Sequence, residues 1–193
     1  TMANQAGFYG FRPVKMLGGA YNGQGQTEYT IGNNEASAIF QGDPVILAAN
    51  GSIDIGSSAG AEILGIFNGC FYTDPTTGKP TFSNHYPGGI AAADIVANVI
   101  DDPDVVFEVK VDDANGGLAQ VGTNCNIATY TAGSDIDGIS NVVIDGGSFT
   151  TNAGANFRVV GLSTDPENSD YSAANAAIQV KINKHSLTDT TGV

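Results

Sequence analysis

Residues 105–111 read VVFEVKV, and this heptapeptide limits the fold more than any other stretch of the chain. Successive side chains of an extended backbone point to opposite faces. Val105, Phe107, Val109 and Val111 therefore share one face, and Glu108 and Lys110 take the other. The run is closed at once by Asp102-Pro103 before it and DDANGG after it. The same design recurs along the chain: a short alternating run, then a cluster of Gly, Asn, Asp or Pro. AAIQVKINK places Ile178, Val180 and Ile182 inward and Gln179, Lys181 and Asn183 outward. NFRVVGLS, AEILGIFNGCFYTD, PVIL and SIDI read as further strands, as do CNIATY (after a short helical turn) and SNVVIDGGSF. Asn50-Gly51 marks a hairpin with positive φ at both turn positions. AAADIVANVIDD is rich in alanine, but Ile95, Ala97 and Val99 alternate and the segment runs into Asp102-Pro103, so strand is preferred to helix. Residues 83–90 read as irregular.

With 26 glycines among 193 residues and few helix formers, eight to ten short strands joined by many turns are expected. The fold class is all-β: one compact β-barrel or β-sandwich, a jelly roll among its possible forms. Its bounds are residues 35–193, preceded by an extended N-terminal arm over residues 1–34.

The formal net charge is −13. Residues 1–34 carry Arg12 and Lys15 against Glu28, a balance of +1, which leaves −14 on the rest. An acidic body repels phosphate backbones and anionic lipid surfaces, so neither nucleic acid nor membrane is an expected partner. No stretch approaches the roughly 20 apolar residues of a membrane helix. The first thirty residues lack the layout of a secretion signal, so synthesis in a cytoplasm is expected. Cys70 and Cys125 read as two buried free thiols.

Catalytic and metal motifs are weak. GSSAG, residues 56–60, has the Gly-x-Ser-x-Gly form with Ser58 in the nucleophile position and His185 downstream. That chemistry needs a sharp strand-to-helix turn, and AEILGIF is too short and glycine-interrupted to supply the helix. Asp112, Asp113 and Asn115, and separately Asp135 and Asp137, resemble fragments of calcium loops but lack the closing bidentate acid. Asp101, Asp102 and Asp104 around Pro103 fit a solvated turn. His85 and His185, a hundred residues apart, give no zinc spacing. The chain therefore reads as a non-enzyme with no cofactor and no metal.

The most unusual feature is the leader GFYGFRPVKMLGG, residues 7–19, with three aromatics and two of the chain's seven positive charges. Two placements are open. It can tuck under its own barrel, or it can lie across another subunit, where aromatic residues and arginine dominate binding energy. The second placement makes Phe8, Tyr9, Phe11, Arg12 and Lys15 the partner-binding residues, with glycines at 7, 10, 18 and 19 letting the backbone follow a foreign surface. Removal of residues 1–20 should then leave the domain folded and abolish binding.

The strings GFRPVK, AIFQGDPVIL, ILGIFNGCFYTDPTTGKPTFSNHYPGG, VIDDPDVVFEV and VKINKHSL resemble structural proteins of tailed bacteriophages, especially those of aquatic bacteria. The resemblance spans about residues 7–187, and the group includes capsid decoration, or cement, proteins. It implies a location on the capsid exterior after synthesis in the bacterial cytoplasm. The implied partners are the major capsid protein and further copies of this chain, with a trimer favoured. It implies no catalytic residue. The alternative is a receptor- or glycan-binding head domain of a tail fibre or adhesin, with Tyr72 and Tyr86 as stacking platforms for sugars.

Overall fold

The computed structural model describes residues 4–19 and 25–188. In chain order its strands are β1 (Arg12–Met16), β2 (Gln26–Thr30), β3 (Pro44–Leu47), β4 (Ile53–Ile55), β5 (Gly65–Thr73), β6 (Pro80–Ser83), β7 (Val96–Ile100), β8 (Val105–Lys110), β9 (Asn124–Cys125), β10 (Phe157–Leu162) and β11 (Ala177–Ile182). The only helical turns among the described residues are two 3-10 segments, Leu17–Gly19 and Leu118–Gln120. The chain is all-β, with two antiparallel sheets.

The first sheet has the order β1-β8-β11-β10-β9, and the second β2-β7-β5-β3-β4, with β6 also paired to β5. The alternation of VVFEVKV decides the first core. Phe107 and Val109 of β8, Ile178 and Val180 of β11, and Phe157 and Val159 of β10 pack together, joined by Ile66 and Ile100 of the second sheet. Phe67, Cys70, Tyr72, Ala97 and Val99 form a second core with Ile31, Ile39, Tyr86 and Ile95 from the connecting segments. Phe67 and Cys70 reach the same core although three residues apart, because the β5–β7 register slips between them. Gly69 holds that slip at φ +119°, and a Cβ there would meet Ser83 O at 2.9 Å. An extra residue in one strand restores the inward direction after the break.

The leader does not form an arm apart from residues 35–193. Its β1 pairs with β8, Arg12 opposite Glu108 and Met16 opposite Val105. The strand that follows, β2, pairs with β7 over all five residues from Gln26–Ile100 to Thr30–Val96. Each sheet thus takes an edge strand from residues 1–34, because β8 and β7 each need a second neighbour to satisfy their backbone groups. Three smaller expectations also change. Among the described non-glycine residues only Asn34 and Asn175 have positive φ, so the Asn50-Gly51 turn places Gly51 alone in the left-handed region. Residues 142–145 make isolated bridges through Ile144 rather than a strand. Residues 80–83 form β6, although the sequence assigns none of them to a strand and places Ser83 in the irregular stretch 83–90.

Candidate functional site

The leader runs over the first sheet and is fixed there from both sides. Phe11 is 2% exposed and enters the first core, its ring stacked on Phe157 at 4.4 Å and edge-on to Phe107 at 6.4 Å. Burial of that side chain contributes about 1.5–3 kcal/mol. Gly10 and Gly42 make the crossing possible. Both have positive φ, and a Cβ on Gly10 would sit 2.6 Å from Gly42 O, while one on Gly42 would sit 2.8 Å from Tyr9 O. Phe11 N–H then donates to Gly42 O at 3.0 Å. The leader glycine at position 10 thus serves a close approach to the chain's own loop.

A charged cluster lies under the leader on the outer side of the first sheet. Glu108 is buried and accepts hydrogen bonds from Arg12 Nη2 (2.8 Å), Tyr9 OH (3.1 Å) and Ser163 Oγ (2.6 Å). The Arg12 guanidinium stands 3.7 Å over the Tyr9 ring, and the Lys110 ammonium lies 5.5 Å from the same ring. Lys110 Nζ donates to Gln5 O at 2.5 Å, and Asn4 Nδ2 donates to Asp170 O at 2.8 Å. Burial, then Glu108, raises the Tyr9 hydroxyl above its ordinary pKa. Burial, then Arg12, lowers that of Lys110. Alternation correctly put Glu108 and Lys110 on the face away from the core. It could not show that residues 4–12 cover that face.

The five proposed contact residues therefore separate. Phe11 is a core residue and offers nothing to a partner. Tyr9 is held by Glu108 and two cations. Arg12 is half exposed, with one flank on Glu108. Phe8 is 39% exposed, and Lys15 is exposed with no ion-pair partner among the described residues. Val14 and Leu17 beside it are exposed as well, which the sequence did not single out. Beside the start of β1 lies a groove of about 230 Å³ with Phe11, Ile66 and Ile100 as its floor, and Gln41 and Asn68 on its rim. It falls below the roughly 300 Å³ at which small-molecule pockets begin.

A second exposed apolar region belongs to the β5–β6 hairpin. Phe82 is 81% exposed and stands directly opposite Phe71, ring to ring at 4.8 Å. Asn84, two residues on, donates through Nδ2 to Asp137 O at 2.7 Å, which ties the hairpin to the 134–138 loop. That loop closes through Gly138 N–H to Ser134 O and holds Ile136 at its tip, 99% exposed between Asp135 and Asp137. An exposed phenylalanine in PTFS has no periodic signature, so the sequence did not reveal it.

The other candidates are placed as follows. Ser58 lies in an exposed turn with no helix after it, and its hydroxyl bonds to no histidine among the described residues. His185 is buried. Its Nδ1 accepts Leu187 N–H at 3.1 Å, while Nε2 has no partner among the described residues, and burial lowers its pKa. His85 stacks on Phe40 at 5.7 Å. Asp112, Asp113 and Asp137 accept backbone N–H groups of Gly146, Asn115 and Ile139 in turns. No group of three His, Cys, Asp or Glu suited to a metal occurs among the described residues. Asp101 accepts from Thr27 and Tyr29, and Asp102 from Asp104 N–H. Cys70 and Cys125 are free and buried, which pushes both thiols up to about 12. Tyr72 and Tyr86 are buried in the second core and are not available to stack on a sugar. No helix among the described residues is long and apolar enough to cross a membrane.

Asp43 was not singled out from the sequence, yet its side chain is fully buried beside the leader's crossing point. Its Oδ2 accepts Phe40 N–H (2.9 Å) and Tyr130 OH (3.1 Å), whereas Oδ1 has no hydrogen-bond partner among the described residues. Burial raises its pKa to about 6.

No family model, curated protein or solved structure matches the chain.

Proposed function

We propose that this protein is a non-enzymatic decoration protein of a tailed-phage capsid, which binds the outer shell and stabilises it by bridging neighbouring major capsid subunits. The observation that carries the reading is the leader's outer flank. It presents Phe8, Val14, Lys15 and Leu17 to solvent, an apolar and basic strip on a body of opposite charge. Aromatic and aliphatic anchors beside a cation suit a protein surface that carries acids. Any ligand that favours the assembled lattice over separated subunits stabilises it by mass action, so no catalytic group is needed. A sandwich of the two sheets, supported by the core they share, would give such a clamp a rigid frame. A closed homo-oligomer, a trimer by resemblance, would place it on a symmetry axis of the shell.

The test is cosedimentation of the full chain with expanded, undecorated capsids of the virus that encodes it. Saturable binding is expected. The triple variant Val14→Asp, Lys15→Glu, Leu17→Asp should keep the wild-type melting temperature and lose that binding. The truncation of residues 1–20 is not a usable control, because it would remove Phe11 from the core. Absence of the protein from virions, with no binding to capsids, would end this reading.

A further inference from the structure

We propose that two copies of this chain pair face to face through the bare end of the second sheet, related by a two-fold axis that runs along β5 at Phe71. The proposal rests on the decoration reading only for its use, which is to join copies seated on neighbouring shell subunits. It takes no residue from the leader flank, which that reading assigns to the shell. A two-fold contact closes at two copies, so a trimer of the kind the resemblance implies would need another surface.

One face of the second sheet is covered at one end and bare at the other. On it lie Ile66 of β5 and Ile100 of β7, opposite each other and buried in the first core. Val96, four residues before Ile100 on β7, points the same way, and the slip at Gly69 brings Phe71 opposite it. Phe82 of β6 stands on the other side of Phe71, ring to ring. The row Phe82–Phe71–Val96 thus crosses three adjacent strands. Phe82 is exposed, the other two are half-buried, and none of the three belongs to either core. Lone surface hydrophobics need no explanation, but a continuous row held in place by strand register is a ready contact surface. Little ordering entropy remains to be lost on docking.

The charges beside this row identify its occupant. Thr73, two residues after Phe71, faces the same way, and its Oγ1 donates to Asp94 at 2.6 Å, which puts that carboxylate toward β7. Pro80 stands opposite Thr73 on β6, and Lys79 precedes it, which puts the ammonium toward β6. Lys79 and Asp94 are exposed, and neither has an ion-pair partner among the described residues. One sign therefore lies to each side of β5. A two-fold axis along β5 exchanges those sides. It lays Phe82 of one copy on Val96 of the other, large on small, and Phe71 on Phe71. It also sets Lys79 against Asp94 twice. The surface that best complements this face is a second copy of the same face.

The patch is smaller than the roughly 20–30 residues a side of a standard interface, so the free chain should pair weakly, at about 10–100 µM. Seating on a shell would raise the effective concentration and strengthen the contact. The net charge of −13 opposes pairing at long range, but at physiological salt the Debye length is about 8 Å, so the local match decides.

Sedimentation velocity of the full chain, over roughly 1–200 µM, tests the proposal across that range. Wild type should pass from monomer to dimer and stop there. Phe82→Ser should weaken pairing at least about tenfold. Lys79→Asp leaves acids on both sides of β5, and Asp94→Lys leaves bases on both, so each variant alone should be monomeric. Mixed, K79D and D94K should form a heterodimer, because both charge pairs are then attractive. The double variant K79D/D94K exchanges the signs and should pair with itself to within about twofold of wild type. Unchanged melting curves confirm folding. Where D94K lowers the melting temperature, Asp94→Asn keeps an acceptor for Thr73 and should weaken pairing about threefold.

A chain that is monomeric at every concentration overturns the proposal. So does pairing indifferent to F82S, growth beyond two copies through this face, or K79D and D94K chains that stay apart when mixed. Loss of capsid binding by F82S, with wild type strictly monomeric, would give the face to the shell and also overturn it. Capsid binding by a monomeric chain leaves the decoration reading standing without this contact. Pairing that follows the charge exchanges, without capsid binding, supports the contact and removes that reading.

Discussion

The leader and the β5–β6 hairpin both carry phenylalanine within a few residues of glycine and proline, and they meet opposite fates. Phe11 is 2% exposed between Phe107 and Phe157, whereas Phe82 is 81% exposed on the outside of its sheet. Stickiness of sequence does not decide between them. What decides is whether the domain has an uncovered surface within reach. The first core needs Phe11, and the outer face of β8 needs a cover for Glu108 and Lys110. The face that Phe71 and Phe82 share has no such cover among the described residues.

Phe11→Ala is the sharpest way to break this comparison. It leaves a cavity beside Phe157 and should cost about 3–5 kcal/mol, read as a lower denaturation midpoint with unchanged slope. A leader that behaves as a free arm would show no loss.

Asp43→Asn comes next, with the opposite sign. The folded pKa of about 6 lies above the ordinary 3.8, so folding favours the protonated acid. Its contribution is fully present below about 3.8 and is lost as pH rises through about 6. The gap between the two values corresponds to about 3 kcal/mol as an upper bound. The variant should therefore be more stable than wild type at pH 7.5, by up to that amount, and the advantage should vanish near pH 4. Both proteins share any loss from charging His185 as pH falls below 6.5, so the comparison between them isolates Asp43. A gain that does not depend on pH would contradict this assignment.

Glu108→Gln keeps the shape but removes the charge that three donors share. A loss of about 1–3 kcal/mol is expected, smaller in high salt because Arg12 is half exposed. At the bottom of the scale, Phe82→Ser should change monomer stability by no more than about 0.5 kcal/mol. A larger loss would show that the hairpin patch is structural.

Much of the architecture was legible in the sequence. The alternating runs at 65–73, 105–110, 157–162 and 177–182 all became strands, because local period and core packing agree there. The leader's own strands were not legible. Arg12–Met16 and Gln26–Thr30 are short, glycine-flanked and mostly exposed, and each is specified by a partner strand far away in the chain. The candidate site divided along the same line. Lys15 stays exposed as its type suggests and Phe8 stays exposed against its type, but Phe11 and Tyr9 are claimed by Phe157 and Glu108, residues that no local pattern links to the leader. Asp43 reads as an ordinary turn acid in QGDP, and only its burial distinguishes it.

Hydrogen exchange at two leader amides tests most directly whether the leader is part of the domain. Phe11 N–H is bonded to Gly42 O at 3.0 Å and Leu17 N–H to Asp104 O at 2.8 Å. Both should exchange only through the opening that also releases the β8 amides, with the same free energy. Exchange of these two at the rate of an unstructured peptide, while β8 stays protected, would contradict the account.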